Sequence, residues 1–401
     1  MRQANPKSIL SFDNTETAFR YKSDRELIRA SLIFSIVHIG WISALATSLV
    51  QIGLKLRLPV TGLIRATVFK HFCGGETIKE SLQTAEKLGS FGVETILDYS
   101  VEGENSETDF DQACEEILKI FDLAASSTNV PFCVFKMTAL ADASILTKMN
   151  SGAALTAAEQ ASFERSRFRV QRICSKAHET KVPVLIDAEE SWIQGPIHSL
   201  VLEMMKLFNR ENCLVYNTYQ MYRSDMRGML ETDFKNADSV GYFLGVKLVR
   251  GAYMEKERER AAACGYADPI YPTKYATDFA FDDALDFCVN QRRIALVCGS
   301  HNENSNLKLA GMMDAQNIQP ADTRIWFSQL LGMSDHISFN LASLGYRVVK
   351  YVPFGPVKSV MPYLIRRAEE NTSVAGQSSR ELVLIRKEIQ RRKSLRALFR
   401  H

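Results

Sequence analysis

Between Val93 and Asn371 one pattern recurs eight times: a short apolar or β-branched run, a polar residue where it stops, then a longer helical stretch. The runs are Val93–Leu97, Val130–Phe135, Val182–Ile186, Cys213–Asn217, Leu244–Val249, Arg293–Cys298, Thr323–Phe327 and Arg347–Val352. Helical stretches cover Asp109–Ala124, a segment from the capping box at Thr156 toward His178, Ile197–Phe208, Met221–Asp238 and Thr277–Asn290, with others ending near Met313 and Leu344 and a last one after Pro356. Such alternation means parallel strands joined by helical crossovers. Eight units of this length predict a (β/α)8 barrel, with a doubly wound sheet as the second choice. The predicted organisation is a helical N-terminal arm over 1–92 packed on the barrel, the barrel over 93–371, and a basic amphipathic C-terminal helix over 372–401.

The polar residues at the ends of the runs are Asp98, Lys136, Asp187, Gln220, Arg250, His301, Gln329 and Tyr351. In a parallel barrel those ends share one rim, where catalytic groups gather. The last unit is the richest. On the helix after Pro356, Tyr363, Arg367 and Glu370 fall at i, i+4 and i+7, with Arg366 alongside. Adjacent guanidiniums bind a carboxylate or phosphate in a planar fork that lysine cannot imitate. Lys247, Arg250, Lys274 and His301 make a candidate phosphate cradle, and Gln220 with Asp187 a candidate reader of a heterocycle or ribose. No metal-ligand spacing, Walker loop or GxGxxG occurs. Asp187, Glu189 and Glu190 lack evident partners. On residues alone, flavin, nicotinamide and pyridoxal phosphate all remain open as the anionic cofactor.

Charge narrows the partners. The net charge of +3 gives no general case for nucleic-acid binding. The stretch from Thr372 to His401 nevertheless carries eight Lys/Arg against Glu381 and Glu388, so the basic character is concentrated in the tail. Within Ser379–Phe399, Leu382, Ile385, Ile389 and Phe399 lie on or near one side, an arrangement that suits either a terminal packed helix or peripheral, salt-sensitive contact with a membrane. Ala30–Leu54 has no charged residue, yet Ser31, Ser35, His38, Ser43 and Gln51 favour a buried helix pair over a span. The leader, with Asp13, Glu16, Asp24 and Glu26, is too acidic for a transit peptide. Eight scattered cysteines without CxxC read as buried thiols in a reducing compartment.

The blocks FKMTAL (135–140), LIDAEES (185–191), YNTYQMYR (216–223), KLVRGAYMEKER (247–258), SHN (300–302), FSQLLGMSD (327–335) and KYVPFGPVKSVMPYLIRRAEENT (350–372) strongly resemble proline dehydrogenase, in its free-standing flavin-dependent form. The resemblance spans the whole predicted barrel. It implies a distorted (β/α)8 barrel with non-covalent FAD, oxidising L-proline to Δ1-pyrroline-5-carboxylate by hydride transfer from the ring carbon next to nitrogen to flavin N5. It further implies a membrane quinone as acceptor and a separate pyrroline-5-carboxylate dehydrogenase downstream; with the cysteine usage and the basic tail, the expected location is cytoplasmic with peripheral contact at the inner face of the membrane.

Residue by residue, the resemblance implies that Arg366, Arg367 and Lys136 hold the substrate carboxylate. Tyr351, Tyr363, Leu330 and Tyr253 would wall the ring, and Asp187 and Glu370 would join substrate pocket to cofactor. Ala188, Gln220, Lys247, Arg250, Gly251, Ala252, Tyr253, Lys274, Thr277, His301, Asn302 and Gln329 would contact FAD, and Glu102 would gate by pairing with Arg366. Two departures stand out: Lys247 occupies a position where several bacterial members have arginine, and Pro272 one where threonine is common. The alternatives are a related flavin barrel acting on hydroxyproline or a folate, and a catalytically silent membrane-associated scaffold. Relatives specialised for hydroxyproline tend to have a small residue where Tyr351 stands, which favours proline.

Overall fold

All eight strands form, and they close in sequence order into a parallel barrel. The computed structural model describes residues 10–37, 61–100, 106–373 and 377–398. The strands are β1 Glu94–Tyr99, β2 Phe132–Lys136, β3 Val184–Asp187, β4 Val215–Gln220, β5 Leu244–Val249, β6 Ile294–Gly299, β7 Ile325–Leu330 and β8 Val348–Phe354. Helices such as Glu107–Ala125, Ala157–Thr180 and Ser191–Phe208 make the crossovers. The predicted capping box is present: Thr156 accepts from the Glu159 N–H while the Glu159 side chain accepts from the Thr156 N–H.

The inner face of the strands follows from three rings. Phe132 of β2 meets Tyr216 of β4 and Trp326 of β7 edge-on, with centroids 5.7 and 5.1 Å apart. Those strands are not neighbours, so the rings meet across the lumen, near where each strand begins. Side chains alternate along a strand, which puts Lys136, Gln220 and Ser328 on the same inner side. The register pairs Lys136 with Asp187, Thr218 with Lys247 and Ile96 with Phe132, so Asp187, Lys247 and Asp98 face inward too.

Several boundaries differ from the sequence reading, and three have a visible cause. β8 runs through Pro353 instead of stopping before it. Proline cannot donate to a ladder, but its carbonyl still accepts, here from the Gly74 N–H at 2.9 Å. Residues 221–225 are not helical, because the Met221 and Tyr222 N–H groups donate to the Val249 and Arg250 carbonyls and prolong the β4–β5 pairing. The third crossover helix begins at Ser191, ahead of Pro196. Asn150 Oδ1 takes the Gly195 N–H there at 2.9 Å.

The chain forms two compact units, one of residues 95–328 and one of the described residues before 95 together with those from 329 onward. In the second, Leu382, Leu384 and Ile385 of helix Gln377–Leu398 are buried among Phe19, Leu27, Ala30 and Phe34 of the arm. Its arginines are engaged as well. Arg392 bonds Glu388 (2.7 Å), Asp24 (3.0 Å) and the Phe19 and Lys22 carbonyls, Arg391 pairs with Glu16 (3.1 Å), and Arg380 with Asp13 (2.7 Å). The apolar side of the tail is thus a packing face, leaving Val383, Arg386, Lys387 and Lys393 outward. Among the described residues no helix is long and apolar enough to cross a membrane. Residues 38–54 of the uncharged run lie outside the described residues. The cysteines are unbridged, and six of the eight are buried.

Candidate active site

At the C-terminal end of the lumen four side chains form a row of alternating charge. Lys247 Nζ lies 2.6 Å from Asp187 Oδ1, Lys136 Nζ lies 3.9 Å from Asp187 Oδ2 and 3.8 Å from Asp98 Oδ2, and Ser100 Oγ donates to Asp98 at 2.6 Å. Charges as buried as those of Asp98 and Lys247 persist only when paired, and the row provides each of the four with an opposite neighbour. Gln220 closes one side by donating Nε2–H to the Glu189 carbonyl at 2.8 Å, which fixes the loop carrying Ala188.

The Glu189 carboxylate has the partner that the sequence did not reveal. Thr138 offers it both its N–H (2.9 Å) and its hydroxyl (2.5 Å). Burial nonetheless raises this carboxyl to about 7, outweighing those bonds and nearby Lys136. Glu190 pairs with Lys256 at 3.1 Å. Among the described residues no His/Cys/Asp/Glu cluster could hold a metal.

A second group surrounds Arg250, just past β5. Its Nε donates to Asp278 (2.6 Å), its two Nη to Ser300 (2.9 Å) and Ser305 (2.9 Å), and its plane lies over Phe281. Lys274 pairs with the other Asp278 oxygen. These two cations hold Asp278 below the usual carboxylate range despite its partial burial. Asn302 caps helix Glu303–Ala315 by accepting from the Ser305 N–H at 3.2 Å, with half-buried His301 just before it. Thr277 is buried on helix Lys274–Asn290. Gly251, at φ +133°, must be glycine: a Cβ there would fall 2.5 Å from the Tyr222 ring. Exposed Ala252 and half-buried Tyr253 follow it. Lys247 and Arg250, whose separate roles the sequence left open, therefore serve different neighbours, the first Asp187 and the second Asp278 with two serines. Two cations, an amide, hydroxyls and a capped helix start, gathered at and just beyond the strand ends, are a donor set that fits an anionic cofactor with a polar heterocycle.

The remaining predicted residues, Glu102 apart, belong to the second unit. Leu330 packs against a cluster containing Tyr363, Phe72, Ile64 and Met333. Tyr351 and Tyr363 are buried, and the Tyr351 carbonyl accepts from the Leu331 N–H at 2.8 Å. Gln329 accepts from the Ser338 hydroxyl at 2.8 Å. Arg366, Arg367 and Glu370 lie on helix Val357–Ser373, their side chains outside the described residues, as is Glu102.

The comparisons with known proteins agree with this architecture. Residues 81–380 match the family model for proline dehydrogenase. The chain is 34% identical over 426 residues to "Proline dehydrogenase 1, mitochondrial" of Dictyostelium discoideum, covering 94% of this chain and 74% of that one. It is 32% identical over 428 residues to the hydroxyproline dehydrogenase of Xenopus laevis, covering 97% and 91%. Among solved structures, proline utilization A from Bdellovibrio bacteriovorus inactivated by N-propargylglycine shares the fold, with a TM-score of 0.70 at 21% identity over 93% of this chain and 40% of that one. By the extent of the family match and of its similarity to the Dictyostelium protein, this chain belongs to the proline dehydrogenase family.

Proposed function

We propose that this oxidoreductase converts L-proline to Δ1-pyrroline-5-carboxylate with bound FAD. The supporting observation is the inward row Asp98–Lys136–Asp187–Lys247 at the strand ends of a barrel of this family. When bound, FAD supplies a two-electron acceptor for the hydride from the carbon next to nitrogen. Gln220, Lys247, Arg250, Lys274, His301 and Asn302 hold that cofactor, with Asp187 keeping Lys247 in place. Arg366 and Arg367 grip the substrate carboxylate as a fork, a role assigned to Lys136 as well. Fixing the carboxylate positions the reacting carbon, a proximity effect. The positive charge also favours the neutral amine, whose lone pair must be available for hydride to leave. Tyr351, Tyr363, Leu330 and Tyr253 exclude water from the ring.

Anaerobic addition of L-proline to the purified protein tests this reading: the flavin absorbance should bleach within the mixing and turnover time. A protein that purifies with flavin and is bleached by hydroxyproline but not by proline would transfer the reading to the Xenopus-like activity. Onward transfer of electrons to a membrane quinone, with peripheral contact through Arg386, Lys387 and Lys393, completes the proposal.

A further inference from the structure

The loop Leu331–Ser334 leaves β7 at the residue assigned to the substrate wall, Leu330, and its conformation is unusual. Gly332 and Ser334 both have positive φ, +78° and +53°. Such a backbone is unfavourable for serine, and it persists only where surroundings hold it. A Cβ at Gly332 would fall 2.5 Å from the His71 carbonyl oxygen.

The holding groups come from far along the chain. His71 donates a ring N–H to the Gly332 carbonyl at 2.9 Å, its ring kept neutral because burial and Lys22 lower it to about 3. Glu381 of the C-terminal helix accepts the Ser334 N–H at 2.8 Å. Lys350 of β8 donates to the Leu330 carbonyl (3.3 Å) and to that of Met333. Asp335, directly after the loop, receives the Tyr21 hydroxyl at 2.8 Å and the Lys22 ammonium, both from the turn between the two arm helices Thr15–Phe19 and Asp24–Val37. Ser334, Asp335 and Lys350 have no exposure to solvent and Glu381 has 2%.

We infer that Lys22 and Glu381 are positioning residues for the substrate site: the arm and the last helix jointly clamp the β7 loop, and through it set Leu330. This deepens the proline reading and rests on it. The arm turn and helix Gln377–Leu398 then tune substrate fit without touching substrate. Cutting a tie lets the loop leave its left-handed geometry and loosens the wall.

The test uses the full-length holoprotein with Lys22→Met, Glu381→Leu and the conservative Glu381→Gln, whose amide oxygen can still accept the Ser334 N–H. Hydrogen exchange of the peptide covering 329–336 should quicken about tenfold in Lys22→Met and Glu381→Leu. Proline KM should rise about tenfold in both, with kcat within about twofold. Glu381→Gln should restore both readings to near wild type. Unchanged exchange and KM in Lys22→Met and Glu381→Leu overturn the clamp, as does a fall in kcat at constant KM. Should Glu381→Leu fail to fold, Lys22→Met decides by the same two readings. If the wild-type protein does not oxidise proline, the functional reading falls, whereas the exchange comparison still decides whether these ties hold the loop.

Discussion

The Lys350 ammonium, buried without solvent contact on β8, lies 3.0 Å from the Asp335 carboxylate, which it shares with Lys22. Despite burial, the two cations hold the Asp335 carboxyl below the usual carboxylate range. Replacing Lys350 by Met should cost about 3–5 kcal/mol, because removing one partner leaves a buried charge undercompensated. Urea denaturation at neutral pH measures it, and a loss below 1 kcal/mol would show that Lys22 alone suffices.

Glu189 should give the fold a pH dependence of opposite sign to that of a paired carboxylate. Its folded value is raised from 4.5 to about 7, so between those values the native state binds more protons than the unfolded one. Stability from this group is therefore present at acid pH and declines as pH rises through about 7, by about 3 kcal/mol in all. Glu189→Gln should flatten melting temperature between pH 5 and pH 8 relative to wild type. Parallel curves for the two proteins would exclude Glu189 as the origin.

Arg366→Lys and Arg367→Lys should each raise proline KM at least tenfold while flavin content stays near one per chain, since an ammonium cannot form the two-point contact. Steady-state kinetics with a flavin absorbance ratio reads both quantities. Unaltered KM in the two variants removes the pair from the substrate site.

Tyr351→Ser should move preference from proline toward hydroxyproline by opening space for a hydroxyl and offering it a partner. An apolar wall rejects an added hydroxyl only weakly, on the order of 10²-fold, so the change in the kcat/KM ratio should stay within that limit. An identical ratio before and after would place Tyr351 away from the ring.

For the tail, the outward stripe is the informative surface. Arg386, Lys387 and Lys393 changed together to Gln should abolish flotation with anionic liposomes at low salt while leaving the melting temperature within a few degrees. Arg392→Gln should do the reverse, because its guanidinium ties Glu388, Asp24 and two arm carbonyls. No flotation of the wild type would give the stripe a role in solvation alone.

What could be read from the sequence was local or periodic. The eight strands announced themselves through alternation, and Thr156 with Glu159 capped a helix because partners three residues apart are visible in a single window. The rim residues Lys136, Asp187 and Gln220 were legible as the polar ends of apolar runs. Asp335 with Lys22 and Lys350, or Thr138 with Glu189, was not, since nothing in a linear pattern says which distant carboxylate a lysine or threonine will meet. Misread boundaries have the same origin. A strand end before Pro353 and a helix start at Ile197 look natural until the Gly74 N–H is seen on the Pro353 carbonyl and the Asn150 side chain on the Gly195 N–H.

The packing of the tail on the arm has a consequence for biosynthesis. Phe19, Leu27 and Phe34 are synthesised ahead of the whole barrel, and the Leu382–Ile385 surface that covers them only after it. At ~5–20 residues per second the arm waits for tens of seconds with its apolar side uncovered. During translation that side is available to chaperones, and a chain cut short before Leu382 lacks the surface that covers Phe19, Leu27 and Phe34.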